Sequence, residues 1–196
     1  MKKIIPDNGV LIPETAKCVF KGEVFDVYQW PQQMFDGTSA TFEMLKRPDT
    51  AEIIAIKDNK LIVLKEEQPG LPAHYSLPAG RNDVPGEDSL GAAQRELLEE
   101  TGMVFKTWKL HKVIQPYVKI EWFIYQWIAT DFVENKGQDV EVHGEKIVVM
   151  EKSLDEVKQL LDDPLNRYVP REVFGELSSF DELIAMPEFK GKEVDH

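Results

Sequence analysis

Apolar and polar positions along the chain change rhythm several times, and each rhythm predicts an element. Val24-Phe25-Asp26-Val27-Tyr28-Gln29-Trp30 is rich in β-branched and aromatic residues and reads as a strand. Asp36-Gly37 is a strong turn signal, and Thr38 to Leu45 reads as the returning strand, so residues 18–47 predict an antiparallel hairpin. Arg47-Pro48-Asp49 breaks the pattern. Glu52-Ile53-Ile54-Ala55-Ile56 and Leu61-Ile62-Val63-Leu64 are short apolar runs joined through Asp58-Asn59, as in a buried hairpin. Residues 68–87 hold Pro69, Gly70, Pro72, Pro78, Gly80, Pro85 and Gly86, which predicts a shaped loop region. Helical periodicity follows over 89–101. Strand-like runs return at Lys109–Ile114, Ile120–Ala129 and Lys146–Met150. Helical patterns cover Leu154–Leu161 and Val173 to about Ala185, and residues 187–196 read as a polar tail. The order predicts an α/β fold, a mixed sheet with helices packed on it.

Composition narrows the function classes. The 196 residues hold 23 Lys+Arg against 35 Asp+Glu, a formal charge of −12. That balance argues against a nucleic-acid partner, which needs basic patches. It also means that a phosphate-bearing substrate would need something to neutralise it. A hydrophobic fraction of 42% suffices for a core. One cysteine, Cys18, excludes an intrachain disulfide and a cysteine-based zinc cluster. No run approaches the roughly 18 apolar residues of a membrane span. The start, Met1-Lys2-Lys3-Ile4-Ile5-Pro6-Asp7, does not read as a signal peptide, so a cytoplasmic location is expected.

The helical segment carries the chemistry. Asp88 or Ser89 can cap its start, and Gly102 fits the position just past its end. With residues about 100° apart, Glu96, Glu99 and Glu100 fall within an arc of about 100°. Leu90, Ala93, Leu97 and Leu98 occupy another arc. One side can therefore pack on a sheet while a second presents three carboxylates. Like charges at Glu96 and Glu100 repel by a few tenths of a kcal/mol, near a helix C-terminus that is itself negative. Arg95 can offset Glu99. A divalent cation would resolve the remaining conflict, since Mg²⁺ or Mn²⁺ takes carboxylate oxygens together with substrate phosphates.

Residues Glu87 and Arg95-Glu96-Leu97-Leu98-Glu99-Glu100-Thr101-Gly102-Met103 resemble the Nudix box, Gly-x5-Glu-x7-Arg-Glu-U-x-Glu-Glu-x-Gly-U, where U is a bulky aliphatic residue. One position departs: Arg81 stands where the box has glycine, and Gly80 lies one step earlier, as in a loop lengthened by one residue. The resemblance implies an α/β/α sandwich, with Glu96, Glu99 and Glu100 as metal ligands and Glu87 in support. It implies the backbone carbonyl of Ala79 as a further ligand. Arg95 would orient the carboxylates. The cofactor implied is Mg²⁺, with Mn²⁺ possible.

Leu77-Pro78-Ala79-Gly80 is similar to the corresponding run of ADP-ribose pyrophosphatases and related nucleoside-diphosphate-sugar hydrolases. That branch carries an N-terminal hairpin which builds a homodimer and stacks on the base. The resemblance therefore implies an extension over 1–47, a catalytic domain over 48–186, and substrate contacts from Tyr28, Trp30 and Phe35. Gln68 matches a substrate-binding glutamine of the branch, although the arginine that should follow it is missing, and Tyr117 follows Pro116 where a glycine is usual. Glu145-Lys146-Ile147-Val148-Val149 resembles the segment that holds the branch's general base, which makes Glu145 the first candidate and Glu141 the second. His143 reads as a surface residue, and His74 lies in the shaped loop. The implied reaction is metal-dependent hydrolysis of a nucleoside-diphosphate sugar, ADP-ribose foremost. The alternatives are a Nudix enzyme on triphosphates, dinucleoside polyphosphates or capped RNA, and a nucleotide-binding regulatory module without turnover.

Overall fold

The computed structural model describes residues 2–138 and 146–195. Its centre is the predicted apolar hairpin: strand β5 (Asp49–Lys57) returns as β6 (Lys60–Gln68). Asp58 and Asn59 both take positive φ, 50° and 58°, the pair of left-handed residues that a tight two-residue hairpin demands. The sheet grows outward from these strands. β11 (Ile124–Asn135) lies parallel to β5 and antiparallel to β9 (Met103–Ile114). On the other side β6 pairs with β7 (Leu71–Ser76) and β12 (Lys146–Lys152), and β7 with β13 (Asn166–Tyr168). A short strand, β8 (Ala79–Asn82), pairs with the first half of β5. The Gly- and Pro-rich region 68–87 is thus half strand. Its prolines and glycines conceal β7 and β8 without preventing them, because Pro72 and Pro78 sit at strand ends or outside them.

Period-two alternation along β5 sends its side chains to two different cores. Ala51, Ile53 and Ala55 pack with Ile62, Ala92, Ala93 and Leu97 beneath the helix α1 (Ser89–Thr101). Ile54 and Ile56 pack on the opposite face with Leu77, Val157, Val173, Phe174 and Leu183. Val157 belongs to α2 (Leu154–Leu160), Val173 and Phe174 to α3 (Arg171–Phe174), and Leu183 to α4 (Phe180–Ala185). Helices therefore cover both faces, the expected α/β/α sandwich. The helical pattern expected from Val173 to Ala185 is two helices, because Gly175 closes α3 and Ser179 caps α4 by accepting from Glu182 N.

The predicted N-terminal hairpin exists as β3 (Asp26–Gln33) and β4 (Ser39–Lys46), with Gly37 at φ 83° in its turn. β2 (Lys17–Lys21) joins its outer edge and β10 (Ile120–Glu121) its inner edge, giving a four-stranded second sheet. The two chain ends meet: β1 (Lys2–Ile5) pairs antiparallel with β14 (Lys192–Asp195). Residues 187–196, polar in sequence, thus include a strand, held also by Lys192 Nζ on the Asp7 and Gly9 carbonyls. The N-terminal segment is clamped by a largely buried ion pair, Lys3 Nζ to Asp49 Oδ2 at 2.6 Å. Lys3 also sits 4.5 Å from the Phe123 ring centroid. Among the described residues no helix is long and apolar enough to cross a membrane.

Candidate active site

α1 starts where the sequence signals place it. The Asp88 carboxylate accepts from Gly91 N at 2.8 Å, and Gly102 ends the helix at φ 71°, its N–H on the Leu98 carbonyl. A side chain at Gly102 would be strained by that φ and would meet the Gly137 carbonyl carbon at 2.4 Å. With both ends fixed and Ala92, Ala93 and Leu97 buried on the sheet, the acidic face is turned toward β8 and the loop after it.

Arg95 organises that face. Its Nε and Nη2 engage the two oxygens of Glu87 at 3.1 and 3.0 Å. Nη1 reaches Glu96 Oε1 at 2.7 Å and Glu99 Oε2 at 3.2 Å, while Nη2 also donates to the Arg81 carbonyl at 2.9 Å. One guanidinium thus ties three carboxylates to the loop strand, in the fork geometry that suits arginine. The Glu87 hydrogen bond, the largest cause, and the attraction of Glu96 hold Arg95 more firmly protonated than usual. Burial pushes the Glu96 carboxyl up from its ordinary range, and Arg95 opposes that shift.

Glu100 takes another partner: its Oε2 accepts from Ala79 N at 3.0 Å. Ala79 lies opposite Glu52, flanked by the bond from Ile53 N to the Pro78 carbonyl. In this antiparallel register the N–H and C=O of Ala79 both face away from β5. The Ala79 carbonyl is therefore turned to the same edge as Glu100. Next to it, Gly80 lies against Glu96 so closely that a Cβ would come within 1.9 Å of the carboxyl carbon. The glycine one step early in the sequence is the one the carboxylate needs, so the extra residue falls after it.

Carboxylate and carbonyl oxygens gathered over a glycine cradle are the hard donors that Mg²⁺ or Mn²⁺ takes. The donor types suit a divalent cation. Among the described residues no three acidic groups are placed to hold a metal ion as they stand, because Arg95 holds Glu87, Glu96 and Glu99 while Glu100 accepts from Ala79 N.

The substrate residues expected from sequence are spread out. Tyr28 lines a cleft of about 1120 Å³ between the second sheet, the loop 82–88 and residues 188–191. Trp30 is 8% exposed, edge-on to Phe42 at 6.2 Å between centroids, and its Nε1 donates to Gln32. Phe35 stands fully exposed at the hairpin turn, and Gln68 closes β6 beside Lys146. His74 is buried, its Nε2 3.6 Å from Glu66, whose other oxygen accepts from Ser76. Glu141, His143 and Glu145 lie outside the described residues.

Glu52 was not singled out in the sequence, although a carboxylate inside the run Glu52-Ile53-Ile54-Ala55-Ile56 is itself a signal. It sits beside Ala79, accepting from Gln126 Nε2 at 2.6 Å. Burial, with a smaller push from Glu172, raises its pKa to about 7 against the Gln126 bond.

Two packed helical layers around a mixed sheet, with an acidic helix set against a backbone carbonyl, define an α/β/α scaffold whose carboxylates gather at one edge of β8. The comparisons place it. The NUDIX domain model matches residues 46–172, well over half of the chain, and the chain belongs to the NUDIX family as a Nudix hydrolase. No curated protein matches it. Among solved structures it is similar to one described as "Crystal structure of ADP compounds hydrolase": 22% identity over 87% of this chain and 89% of that one, with a TM-score of 0.63. It is also similar to a "NUDIX hydrolase from Nitrosomonas europaea", at 23% identity over 62% of this chain and 81% of that one, with a TM-score of 0.47.

Glu52 generates a prediction about pH. Between its ordinary value near 4.3 and its folded value of about 7, the folded chain holds a proton that the unfolded chain has lost. This group's contribution is therefore most favourable at low pH and declines as pH rises through that window. In EDTA, Glu52→Gln should raise the melting temperature at pH 8 and leave it unchanged at pH 4. An equal shift at both values would show that the carboxylate is not destabilised by its burial.

Proposed function

We propose that the chain hydrolyses the pyrophosphate bond of a nucleoside diphosphate linked to another group, with a nucleoside-diphosphate sugar as substrate and ADP-ribose the foremost candidate. The observation that carries this reading is the Arg95 network, which gathers Glu87, Glu96 and Glu99 while Glu100 and the Ala79 carbonyl share one edge of β8. All the charged positions of the box are present, which favours an enzyme over a regulatory module. The fold neighbour's name, an ADP compounds hydrolase, is consistent with this substrate class.

Water attacks one phosphorus and the bridging P–O bond breaks, giving a nucleoside monophosphate and a sugar phosphate. A bound Mg²⁺ or Mn²⁺ supplies charge neutralisation of the diphosphate oxygens and acidification of a coordinated water. Ala79, Glu96 and Glu100 would hold it. Arg95 keeps the carboxylates oriented, and Glu87 and Glu99 hold Arg95 in turn. The proton of the attacking water goes to a carboxylate outside the box, with Glu145 the first choice and Glu141 the second. Gln68, Tyr28 and Phe35 are proposed to contact substrate, while Trp30, buried against Phe42, positions the hairpin that carries Tyr28. The reaction needs neither a nucleic acid nor a membrane, and a cytoplasmic setting suits it.

The same reading includes a homodimer through the second sheet. That sheet exposes Val19 at 53%, Phe20 at 62% and Phe35 fully, an apolar surface of the kind association covers. Light scattering at tens of micromolar should give twice the 22.5 kDa chain mass. A mass equal to one chain would remove the dimer from the account.

The activity is tested by product release over a nucleotide panel with Mg²⁺ and with EDTA. ADP-ribose should be cleaved only with the cation. Glu100→Gln should lose at least about a hundredfold in rate while folding normally. Glu145→Gln should lower kcat by about 10²–10⁴ with metal affinity retained. Cleavage in EDTA, or full activity of folded Glu100→Gln, would overturn the metal assignment. Damage from Glu141→Gln with Glu145→Gln silent would transfer the base to Glu141.

A further inference from the structure

The cleft of about 1120 Å³ beside the start of α1 has the sheet for one wall: Tyr125 and Trp127 of β11 and Leu110 of β9 all line it. Tyr125 and Trp127 are two residues apart on one strand, so they rise from the same face about 7 Å from each other. Leu110 lies opposite Trp127 in the register. Phe189, which also lines the cleft, is held beside Leu110 by its N–H on the Leu110 carbonyl at 2.8 Å. Tyr125 is 3% exposed, and its Oη has no hydrogen-bond partner among the described residues. Trp127 Nε1 is buried and unpartnered in the same way. Of the five buried side-chain atoms left unpartnered among the described residues, three belong to residues that line this cleft, the third being Arg47 Nε.

Buried polar groups without partners are unfavourable, and native chains keep few of them. Their concentration at one cleft means that an occupant completes them. Trp127 Nε1 can only donate. Burial, with a smaller push from Asp49, holds the Tyr125 phenol well above its ordinary pKa, so it keeps its proton and can donate as well. Both positions therefore ask for acceptors. The walls around them, Leu110, Phe189 and the two rings themselves, are apolar and largely flat. The cations beside them are already paired, Lys3 with Asp49 at 2.6 Å and Lys46 with Glu121 at 2.7 Å. Acidic side chains outnumber basic ones around the cleft, which disfavours a polyanion. The complement is an uncharged ring with acceptor atoms.

We propose that this cleft binds an uncharged heteroaromatic ring carrying acceptor atoms, the chemistry of a nucleobase, with Tyr125 Oη and Trp127 Nε1 as its donors. Purines and pyrimidines offer ring nitrogens and carbonyl oxygens at their edges and faces that pack on aromatic side chains. The cleft is large enough for a nucleoside. Meeting the two donors takes side-chain adjustment, the usual extent of rearrangement on binding. The site stands on the cleft and its donors, so it does not depend on the pyrophosphatase reading. Two sources share this chemistry. One is the base of the substrate, because Glu87 both lines the cleft and is held by Arg95 together with Glu96. The other is a free nucleoside bound beside the reaction.

Calorimetric titration of the full chain in EDTA compares adenosine, guanosine and uridine with ribose 5-phosphate, which lacks a base. At least one nucleoside should bind about tenfold or more tightly than ribose 5-phosphate. The indole N–H signal of Trp127 in a ¹⁵N–¹H spectrum, assigned through Trp127→Phe, should shift on binding. Tyr125→Phe removes only the hydroxyl. Its melting temperature should hold or rise, because an unsatisfied buried group is gone, while nucleoside affinity should fall about three- to tenfold. Tyr117→Phe, at an exposed tyrosine outside the cleft, should change neither. A second arm with Mg²⁺ separates the sources. Competition of the bound nucleoside with ADP-ribose, and a raised KM with kcat held in Tyr125→Phe, would make the ring the substrate's base. Binding without competition would make it a free nucleoside. No nucleoside binding above ribose 5-phosphate would overturn the site. So would unchanged affinity in Tyr125→Phe with an unmoved Trp127 signal, water then being what completes the donors. Binding that depends on Tyr125, in a protein that cleaves no nucleotide, would support the site and refute the pyrophosphatase reading.

Discussion

Everything at the acidic helix depends on balancing its carboxylates with one guanidinium. Glu87, Glu96 and Glu99 are drawn within hydrogen-bond distance of Arg95, and a fourth carboxylate, Glu100, lies one residue along the helix. Dispersed in solvent such charges repel weakly, but here Glu87 and Glu96 are largely withdrawn from water, so their repulsion and their desolvation both rise. Arg95 offsets part of this, and its bond to the Arg81 carbonyl attaches the cluster to β8. Three carboxylates against one guanidinium leave net negative charge at this face, which the proposed cation would offset.

The rest of the fold keeps that cluster in register. The β5–β6 hairpin is fixed by its two left-handed turn residues, β8 is fixed by β5, and α1 is fixed by the alanines and leucine beneath it. Gly80 and Gly102 are two positions at the site where a side chain cannot be tolerated, one against Glu96 and one against the backbone at Gly137. The Lys3–Asp49 pair and the β1–β14 ribbon then tie both chain ends to the start of β5. The opposite face carries a different chemistry, with Glu52 buried against Gln126 and Arg47 stacked on Trp122.

The acidic face of α1 was legible in sequence because its carboxylates lie in consecutive helical turns, where spacing alone determines which of them share a face. Caps, turns and the apolar hairpin were legible for the same local reason. What the sequence concealed is non-local. β7 and β8 read as loop because their prolines and glycines dominate the composition, while their pairing depends on strands far away. β14 reads as a polar tail because it pairs with a segment at the other end of the sequence, at Lys2↔Asp195 and Ile5↔Lys192, and so needs little apolar content. The segment Val173 to Ala185 keeps a helical rhythm across a break because Leu177 stays buried between α3 and α4. Glu52 escaped notice because only the fold shows that its strand passes beside Ala79.

The claim that Arg95 balances the cluster is tested most directly by a double-mutant cycle in EDTA, with stability read from urea unfolding. Arg95→Met leaves partly buried carboxylates without their partner and should cost about 2–3 kcal/mol, toward the lower end for a broken, largely buried ion pair. In a Glu87→Gln, Glu96→Gln background the same change should cost less than about 1 kcal/mol, because the charge it balanced has been removed. An equal cost in both backgrounds would mean that Arg95 acts by packing alone, and the account of the site as a charge balance completed by a cation would be wrong.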